Sequence, residues 1–199
     1  VLSGGVSMSI ISYENTKDVT YDPHSALYWD RDSLDREITR TFEICHGCRM
    51  CFKYCTAFPS LFTAIDTSAD GDVRKISPED KKKIIGECYQ CKICYVKCPY
   101  TDRDNHLYNL NYPALMQRAV HIDAKENGVD LRDKILQNAD LAGKMTTGLI
   151  SGVANKILNT NFHRAIAQAI IGIHKDKLLP AFHKSTFMQR FRKRKKTEM

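Results

Sequence analysis

Apolar residues along this chain recur mainly at helical spacing, with polar residues between them. Hydroxyl, acidic and proline residues mark the positions where helices begin. Asp32 or Ser33 can cap one helix, and Ser77-Pro78 opens another in the same way. No run of alternating β-branched residues indicates a strand. The pattern therefore predicts an all-α fold with little or no sheet.

The helical pattern continues into the second half of the chain. Residues 67–76 form a turn-rich connector. A helix that begins at Pro113 is expected to end at Asn127-Gly128, and Asp130 begins the next one. An apolar stripe follows at Phe162, Ala165, Ile166, Ala169, Ile170 and Ile173. Such a stripe is most often part of a core, and the alternative is docking onto a partner or a membrane.

These signals divide the chain into four parts. Residues 1–30 are mixed and polar, and we expect an extended arm. Residues 31–126 form the main domain, which contains every cysteine, and residues 127–182 form a helical extension. Residues 183–199 are a basic tail with seven Lys or Arg against Glu198, within a net charge of +7 for all 199 residues.

Composition and charge limit the partners. The chain is 43% hydrophobic, and no stretch approaches the ~20 apolar residues of a membrane span. The basic tail suits anionic lipid or an acidic partner, and a solvated end fits it equally well. Nucleic acid is disfavoured because no reading helix or aromatic stacking pattern accompanies the charge. The expected location is cytoplasmic; peripheral contact with the inner membrane and a cleaved organellar targeting sequence are left open.

The eight cysteines fall in two sets with identical spacing, C-x2-C-x2-C-x3-C. The sets are Cys45, Cys48, Cys51 and Cys55, then Cys88, Cys91, Cys94 and Cys98. This spacing ligates cubane iron–sulfur clusters, with the fourth thiolate serving the other cluster where two runs occur. The sequence therefore predicts two [4Fe–4S] clusters, with all eight cysteines as metal ligands.

Helix geometry explains why the fourth ligand is exchanged between the runs. Residues four apart on a helix project from one face with nearly parallel side chains. Where the segment after the third cysteine is helical, the fourth thiolate points past the cluster that the first three bind. Cluster 1 is therefore assigned to Cys45, Cys48, Cys51 and Cys98, and cluster 2 to Cys88, Cys91, Cys94 and Cys55. Cluster assembly and folding should then be coupled.

The runs also match between their cysteines, as CHGCRMCFKYC and CYQCKICYVKC. This match implies two half-sites related by an approximate two-fold. Histidines, including His46 in the first run, are not assigned as ligands. The apolar residues of the runs can shield the clusters from water or serve as ordinary core. These residues are Met50, Phe52, Ile93, Tyr95 and Val96.

Other chemistries of cysteine stay open as alternatives. Zinc sites take four ligands from two well-separated pairs, so the third cysteine of each run would be superfluous. Disulfides are typical of short secreted domains, and no signal peptide is visible. A third alternative is a structural cluster that never changes its oxidation state.

The order of helix, cysteine run, helical connector and second run with Cys98-Pro99 resembles the α-helical ferredoxin fold. That fold occurs in an iron–sulfur protein of heterodisulfide reductase and in one of anaerobic glycerol-3-phosphate dehydrogenase. A relative forms part of the iron–sulfur protein of succinate dehydrogenase. The closer resemblance is to bacterial heterodisulfide-reductase-related iron–sulfur proteins. It covers most of the chain, in the phrases FEICHGCRMCFKYC, FPSLF, CYQCKICYVKCPY and YPALMQRA and the later LLP and KSTF segments.

The resemblance implies an α-helical ferredoxin domain over residues 31–126 that relays single electrons. Its donor would be a flavoprotein or another dehydrogenase, and its acceptor a quinone-linked or CCG-domain reductase. Larger relatives continue into cysteine-rich CCG domains, whereas this chain has no cysteine after Cys98. Catalysis by this chain alone is therefore not expected. The alternatives are a redox sensor, or a structural subunit of an oxidoreductase complex.

Overall fold

The computed structural model describes Ile11, Tyr13, Glu14 and residues 16–194. All regular structure in these residues is helical and none of it is strand, which confirms the all-α prediction. The chain divides into two units, Val1–Gly128 (unit 1) and Val129–Met199 (unit 2). Within the described part of the chain, no helix has the length and apolar character needed to cross a bilayer.

Unit 1 contains the five helices that precede Gly128. They are α1 (Arg31–Cys48), α2 (Ala57–Thr63), α3 (Pro78–Gly86), α4 (Ile93–Lys97) and α5 (Tyr112–Asn127). Shorter elements join them: 3-10 turns at Ala26–Trp29, Val73–Lys75 and Asp102–Asp104, and a π-helical turn at Ala64–Ser68.

Unit 2 is a succession of short helices. They are α6 (Leu131–Gln137), α7 (Ala139–Thr146), α8 (Ser151–Leu158), α9 (Asn161–Ile171) and α10 (Phe187–Lys193). Thr186 opens α10 with a reciprocal capping box formed with Gln189.

Side-chain caps determine where the helices of unit 1 begin. The carboxylate of Asp30 accepts a 2.6 Å hydrogen bond from the backbone N–H of Ser33. Asp30 therefore caps α1, and the prediction of Asp32 or Ser33 as the cap was wrong. Asp30 has the extended backbone of a cap residue, whereas Asp32 and Ser33 already lie inside the first turn. Ser77 caps α3 as predicted, since its hydroxyl accepts from the N–H of Asp80 at 3.0 Å.

Helix α5 ends where the sequence indicated. Asn127 is its last residue, and Gly128 follows with a φ of 78°. Residues other than glycine seldom adopt this left-handed backbone value. Asp130 then precedes α6, as predicted. The side chain of Asn111 caps the other end of α5 by accepting from the N–H of Ala114 at 3.2 Å.

The core of unit 1 lies between α1, α2 and α5. Leu34, Ile38 and Phe42 follow one another at four-residue spacing on α1 and are at most 2% exposed. They belong to the same buried cluster as Leu115 and Met116 of α5. Full burial of a side chain of this size contributes about 1.5–3 kcal/mol. This core holds together the helices that border the cysteine runs.

A buried arginine fastens the N-terminal arm to this core. Arg118 on α5 is fully buried, and its guanidinium donates to the backbone carbonyls of Tyr28, Leu27 and Asp18 at 2.8, 2.6 and 3.0 Å. The described residues before Ala26 form no helix, in keeping with the expected arm. The prediction for residues 1–10, 12 and 15 lies outside the described residues.

Unit 2 buries little of its apolar surface. Ser151 is the one buried side chain among those described there. Phe162, Ile166 and Ile170 of α9 are 69%, 41% and 63% exposed. The interpretation of this stripe as core was therefore wrong, because no described residue of unit 2 packs over it closely enough to exclude water.

Candidate metal centre

Both cysteine runs lie in unit 1, on different local structures. Helix α1 carries Cys45 and Cys48 in its last turns, whereas α3 ends at Gly86, before Cys88. The segment after the third cysteine is helical in the second run, where α4 contains Cys94. In the first run the corresponding residues 51–54 form turns, so the helical geometry used to explain the ligand exchange is absent there.

The two runs nevertheless share one unusual backbone conformation. Arg49 and Lys92, which occupy the same place in the repeat, have φ values of 52° and 61°. Non-glycine residues rarely adopt this left-handed conformation, which reverses the chain sharply. Each reversal comes directly after the second cysteine of its run, two residues before the third. The repeated sequence thus has the same backbone conformation at this one position.

A cavity brings Cys98 together with the first three cysteines of the other run. It is a small cavity of about 30 Å³ that is partly open to solvent. Its lining is Cys45, Cys48, Cys51 and Cys98 with Ile44, Met50, Phe58, Phe62, Pro99, Tyr100 and Leu110. Cys55 does not line this cavity. We call Cys45, Cys48, Cys51 and Cys98 set 1.

Tyr100 contacts two cysteines of set 1. Its backbone N–H donates to the Sγ of Cys98 at 3.4 Å, and the neighbouring thiol of Cys48 raises the pKa of its hydroxyl. One residue therefore connects the end of the second run to the first. Hydrogen bonds to ligand sulfurs orient metal ligands and adjust the potential of a bound centre.

The remaining cysteines form set 2: Cys55, Cys88, Cys91 and Cys94. The pKa of Cys88 is raised by burial and by the neighbouring thiols of Cys55 and Cys91. Gln90 supports this loop, since its amide donates to the carbonyl of Pro113 at 3.0 Å and to the Sγ of Cys88 at 3.6 Å.

The two sets adjoin each other at the third cysteines. Burial raises the pKa of Cys94 to about 12, and the largest electrostatic contribution comes from Cys51 of set 1. Burial likewise raises the pKa of Cys51 to about 11, with contributions from Cys98 and Cys48. The pKa of Cys45 is also raised well above its usual value by burial and by its thiol neighbours, of which Cys98 has the largest effect. Thiols in this environment become thiolates only where a nearby positive charge compensates them.

The donor atoms fit a group that is larger than a single ion. All eight cysteines are free thiols. In the described residues, no three Cys, His, Asp or Glu side chains converge closely enough to hold one metal ion. A tetrahedral zinc site with bonds of about 2.3 Å would need sulfurs roughly 3.8 Å apart. The thiols of set 1 line one mostly apolar cavity, and four thiols are a donor set that a multinuclear centre would use.

A small polar network supports the first run. Asp66 accepts from the guanidinium of Arg49 at 2.6 Å and lies 2.7 Å from Nε2 of His46. These hydrogen bonds, Arg49 first, lower the pKa of Asp66 to about 2. Arg49 also lies over the ring of Phe62, 5.3 Å from its centroid. The network ties the end of α1 to the π-helical turn after α2.

The apolar residues of the cysteine runs face outward. Met50, Phe52, Ile93 and Val96 are 47–55% exposed, so the interpretation of these four as ordinary core was wrong. Tyr95 is partly buried, and its hydroxyl donates to Asp102 at 2.8 Å. Of the cysteines, Cys91 is exposed and Cys94 is buried.

Sequence reasoning missed Tyr100, Gln90 and Asp66. Tyr100 could have been found from its place two residues after Cys98, where its N–H can reach the preceding sulfur. Gln90 and Asp66 carried no such signal, because their partners Pro113 and Arg49 lie 23 and 17 residues away.

Comparison with known proteins adds nothing to this geometry: no family model, no curated protein and no solved structure matches the chain.

Proposed function

We propose that this chain is an electron-transfer protein, or the electron-transfer subunit of an oxidoreductase, that carries two [4Fe–4S] clusters. Cys45, Cys48, Cys51 and Cys98 would hold one cluster, and Cys88, Cys91, Cys94 and Cys55 the other. When bound, such clusters accept and release single electrons. The chain itself is a relay and not a catalyst in this proposal.

One observation carries the proposal: Cys98 lies at the same cavity as Cys45, Cys48 and Cys51. Two runs that exchange their fourth cysteine are the arrangement expected of paired cubane sites. A zinc site or a pair of disulfides would give no reason for this exchange. The electrostatic influence of Cys51 on the pKa of Cys94 supports transfer within the chain, because it indicates that the two sets are neighbours.

The surroundings of the thiols suit reversible electron transfer. Apolar side chains such as Phe58, Phe62 and Leu110 exclude water from set 1, and low polarity affects the potential of a bound centre. Peptide and side-chain donors from Tyr100 and Gln90 reach ligand sulfurs. These residues hold the ligands in place, so little would need to move when an electron arrives.

Exposed residues beside the runs support the presence of protein partners. Met50 and Val96 each lie next to the chain reversals or helices that carry ligands, and both are more than half exposed. Lys53 and Lys97 are exposed in the same segments. In the proposed function, a flavoprotein or dehydrogenase donates electrons at one of these edges. A quinone-linked or CCG-domain acceptor receives them at the other.

The proposal is tested by producing the full chain without oxygen and measuring iron, sulfide and zinc. We expect about eight irons and eight sulfides per chain. Electron paramagnetic resonance of the reduced protein should show two clusters that interact magnetically. Stoichiometric zinc, or cystine links without inorganic sulfide, would overturn the proposal. Clusters that dithionite cannot reduce would leave them a structural role only.

A further inference from the structure

Every helix described in unit 2 has an exposed pair of apolar side chains four residues apart. The pairs are Leu131 and Ile135 on α6, Leu141 and Met145 on α7, Val153 and Ile157 on α8, Phe162 and Ile166 on α9, and Phe187 and Phe191 on α10. Residues at this spacing lie on one face of a helix. Each helix therefore presents an apolar stripe to solvent.

In unit 1, by contrast, apolar side chains at the same four-residue spacing are buried. Leu34, Ile38 and Phe42 are at most 2% exposed, whereas Leu131 is 71% and Ile166 is 41% exposed. Soluble proteins rarely leave large apolar surfaces uncovered, and such surfaces usually mark an interaction site. The stripes of unit 2 thus require a surface to cover them.

The charge of unit 2 indicates what that surface is. Residues 141–194 carry ten Lys or Arg against a single acidic residue, Asp176. Arg190, Arg192 and Lys193 lie on α10 between and beside its stacked aromatic residues. An apolar face together with a basic polar face is the signature of helices that lie in the plane of an anionic membrane interface.

We propose that unit 2 binds the surface of an anionic phospholipid bilayer. Its apolar stripes enter the boundary between headgroups and acyl chains, and its cations lie among the headgroups. Each of the five helices carries at least one Lys or Arg besides its apolar pair. This spread of both features over five helices fits an extended lipid surface better than a single groove for one protein segment.

The first test measures binding of the full, anaerobically prepared chain to vesicles by flotation. We expect binding to vesicles of phosphatidylcholine and phosphatidylglycerol in equal amounts, and none to phosphatidylcholine alone. The triple variant R190Q/R192Q/K193Q should bind roughly a hundredfold more weakly, because each cation near an anionic surface contributes about a fivefold gain in affinity. K81Q/K82Q/K83Q removes the same charge from α3 of unit 1 and should bind like the wild type.

A second pair of variants tests the apolar stripe. I166Q/I170Q should lower vesicle affinity at least about tenfold, because two side chains no longer enter the apolar boundary. V120Q is the matched control, since Val120 is 49% exposed on a helix of unit 1. Equal binding to neutral vesicles, or equal loss in the unit 1 controls, would overturn the proposal. So would a dimer in the absence of lipid that I166Q/I170Q dissociates.

A separate observation concerns Tyr112, the first residue of α5. It is 6% exposed, and its ring lies 4.8 Å from that of Phe58. Its hydroxyl is buried and has no hydrogen-bond partner among the described residues. The thiols of Cys45 and of three set 2 cysteines are its electrostatic neighbours, and with burial they raise its pKa well above the usual value. A hydroxyl in such a position normally has an acceptor.

We infer that the Tyr112 hydroxyl donates its hydrogen bond to a sulfur of a centre held by these neighbouring cysteines. This inference rests on the proposed function. A donor to a cluster sulfur stabilises the more negative, reduced state and so raises the reduction potential. The hydroxyl is supplied by α5, outside both cysteine runs, which makes Tyr112 a positioning and tuning residue instead of a ligand.

The test compares Y112F with Y21F in a potentiometric titration followed by electron paramagnetic resonance. Tyr21 also has a buried hydroxyl, but that hydroxyl lies at the backbone of Asn111, and its electrostatic neighbours Glu37, Arg40 and Asp102 include no cysteine. We expect Y112F to lower the midpoint potential of one cluster, and Y21F to leave both potentials unchanged. An unchanged potential in iron-loaded Y112F would overturn this inference alone. A wild type without iron and sulfide would overturn the proposed function.

Discussion

The guanidinium of Arg118 donates a 2.8 Å hydrogen bond to the backbone carbonyl of Tyr28, a residue 90 positions earlier in the chain. It donates to the carbonyls of Leu27 and Asp18 as well. No carboxylate forms an ion pair with Arg118 among the interactions described for it, and burial lowers its pKa. The arm is therefore held by hydrogen bonds from its backbone carbonyls to Arg118. The same carbonyls stabilise the buried charge of the guanidinium.

Replacing Arg118 with Met should destabilise unit 1 by about 3 kcal/mol, because several buried carbonyls lose their donor at once. Urea unfolding followed by circular dichroism under anaerobic conditions measures the change. R31M is the control, since Arg31 pairs with Glu126 on the surface and both side chains are about 40% exposed. That variant should stay within about 1 kcal/mol of wild type. Equal losses in the two variants would contradict the role of Arg118.

In the proposed function, replacing Cys98 with Ser should release the cluster held by the cysteines of the other run. Alkylation by iodoacetamide, read by mass spectrometry, reports which thiols lose protection. In C98S we expect Cys45, Cys48 and Cys51 to be labelled while the Cys88 run stays protected.

The reciprocal variant C55S serves as the control for C98S. It should expose Cys88, Cys91 and Cys94 and leave the thiols of the Cys45 run protected, because Cys55 is a neighbour of Cys88. If each serine variant instead exposed the three cysteines of its own run, the exchanged ligand assignment would be wrong.

Ionisation of Asp18 should make the free energy of unfolding depend on pH in the acid range. Its carboxylate accepts two hydrogen bonds from Arg36, at 2.8 and 2.9 Å, and this contact lowers its pKa below the usual 3.8. A lowered pKa gives a contribution that is complete above about pH 5 and is lost as the pH falls through the folded-state value. The urea midpoint of D18N should lie below that of wild type at neutral pH, and the two should converge in acid. A gap that widens below about pH 4 would contradict this sign.

If set 1 holds a cluster as proposed, Asp66 should slow the loss of iron from it. In D66N the interaction with Arg49 and His46 is weakened, so the turn that precedes Cys51 should open more often. We expect a chelator to remove iron several-fold faster from D66N, with little change in the free energy of unfolding because the pair lies at the surface. D140N is matched to it, since Asp140 forms an exposed pair with Lys144 in unit 2. A similar acceleration in D140N would show a general charge effect.

Much of the helical architecture could be predicted because its signals are local. Ser77 with Pro78, and Asn127 with Gly128, determine helix ends through contacts within a few residues. The start of α1 was placed wrongly at Asp32 or Ser33, since three polar residues compete there and only backbone conformation decides among them. The explanation of the ligand exchange was conditional on a helix after each third cysteine, and the structure has turns after Cys51.

The rest depended on contacts between distant parts of the chain. A four-residue apolar stripe looks the same whether it is buried, as at Leu34 and Ile38, or exposed, as at Ile166 and Ile170. Only the neighbouring helices determine which of these occurs. Cys98, by contrast, was expected beside the first run, and it lies there. The cofactor and the function stay proposals, because thiol positions indicate a suitable donor set and not its occupant.

The position of Cys98 in the chain also determines when set 1 becomes complete during translation. The ribosome synthesises Cys45, Cys48 and Cys51 well before it reaches residue 98. For that interval the nascent chain contains these three thiols without Cys98. In the proposed function, iron delivered during that interval would meet an incomplete set of ligands. Cluster loading would then begin late in translation or after it, and a chain truncated between the two runs would lack a complete ligand set.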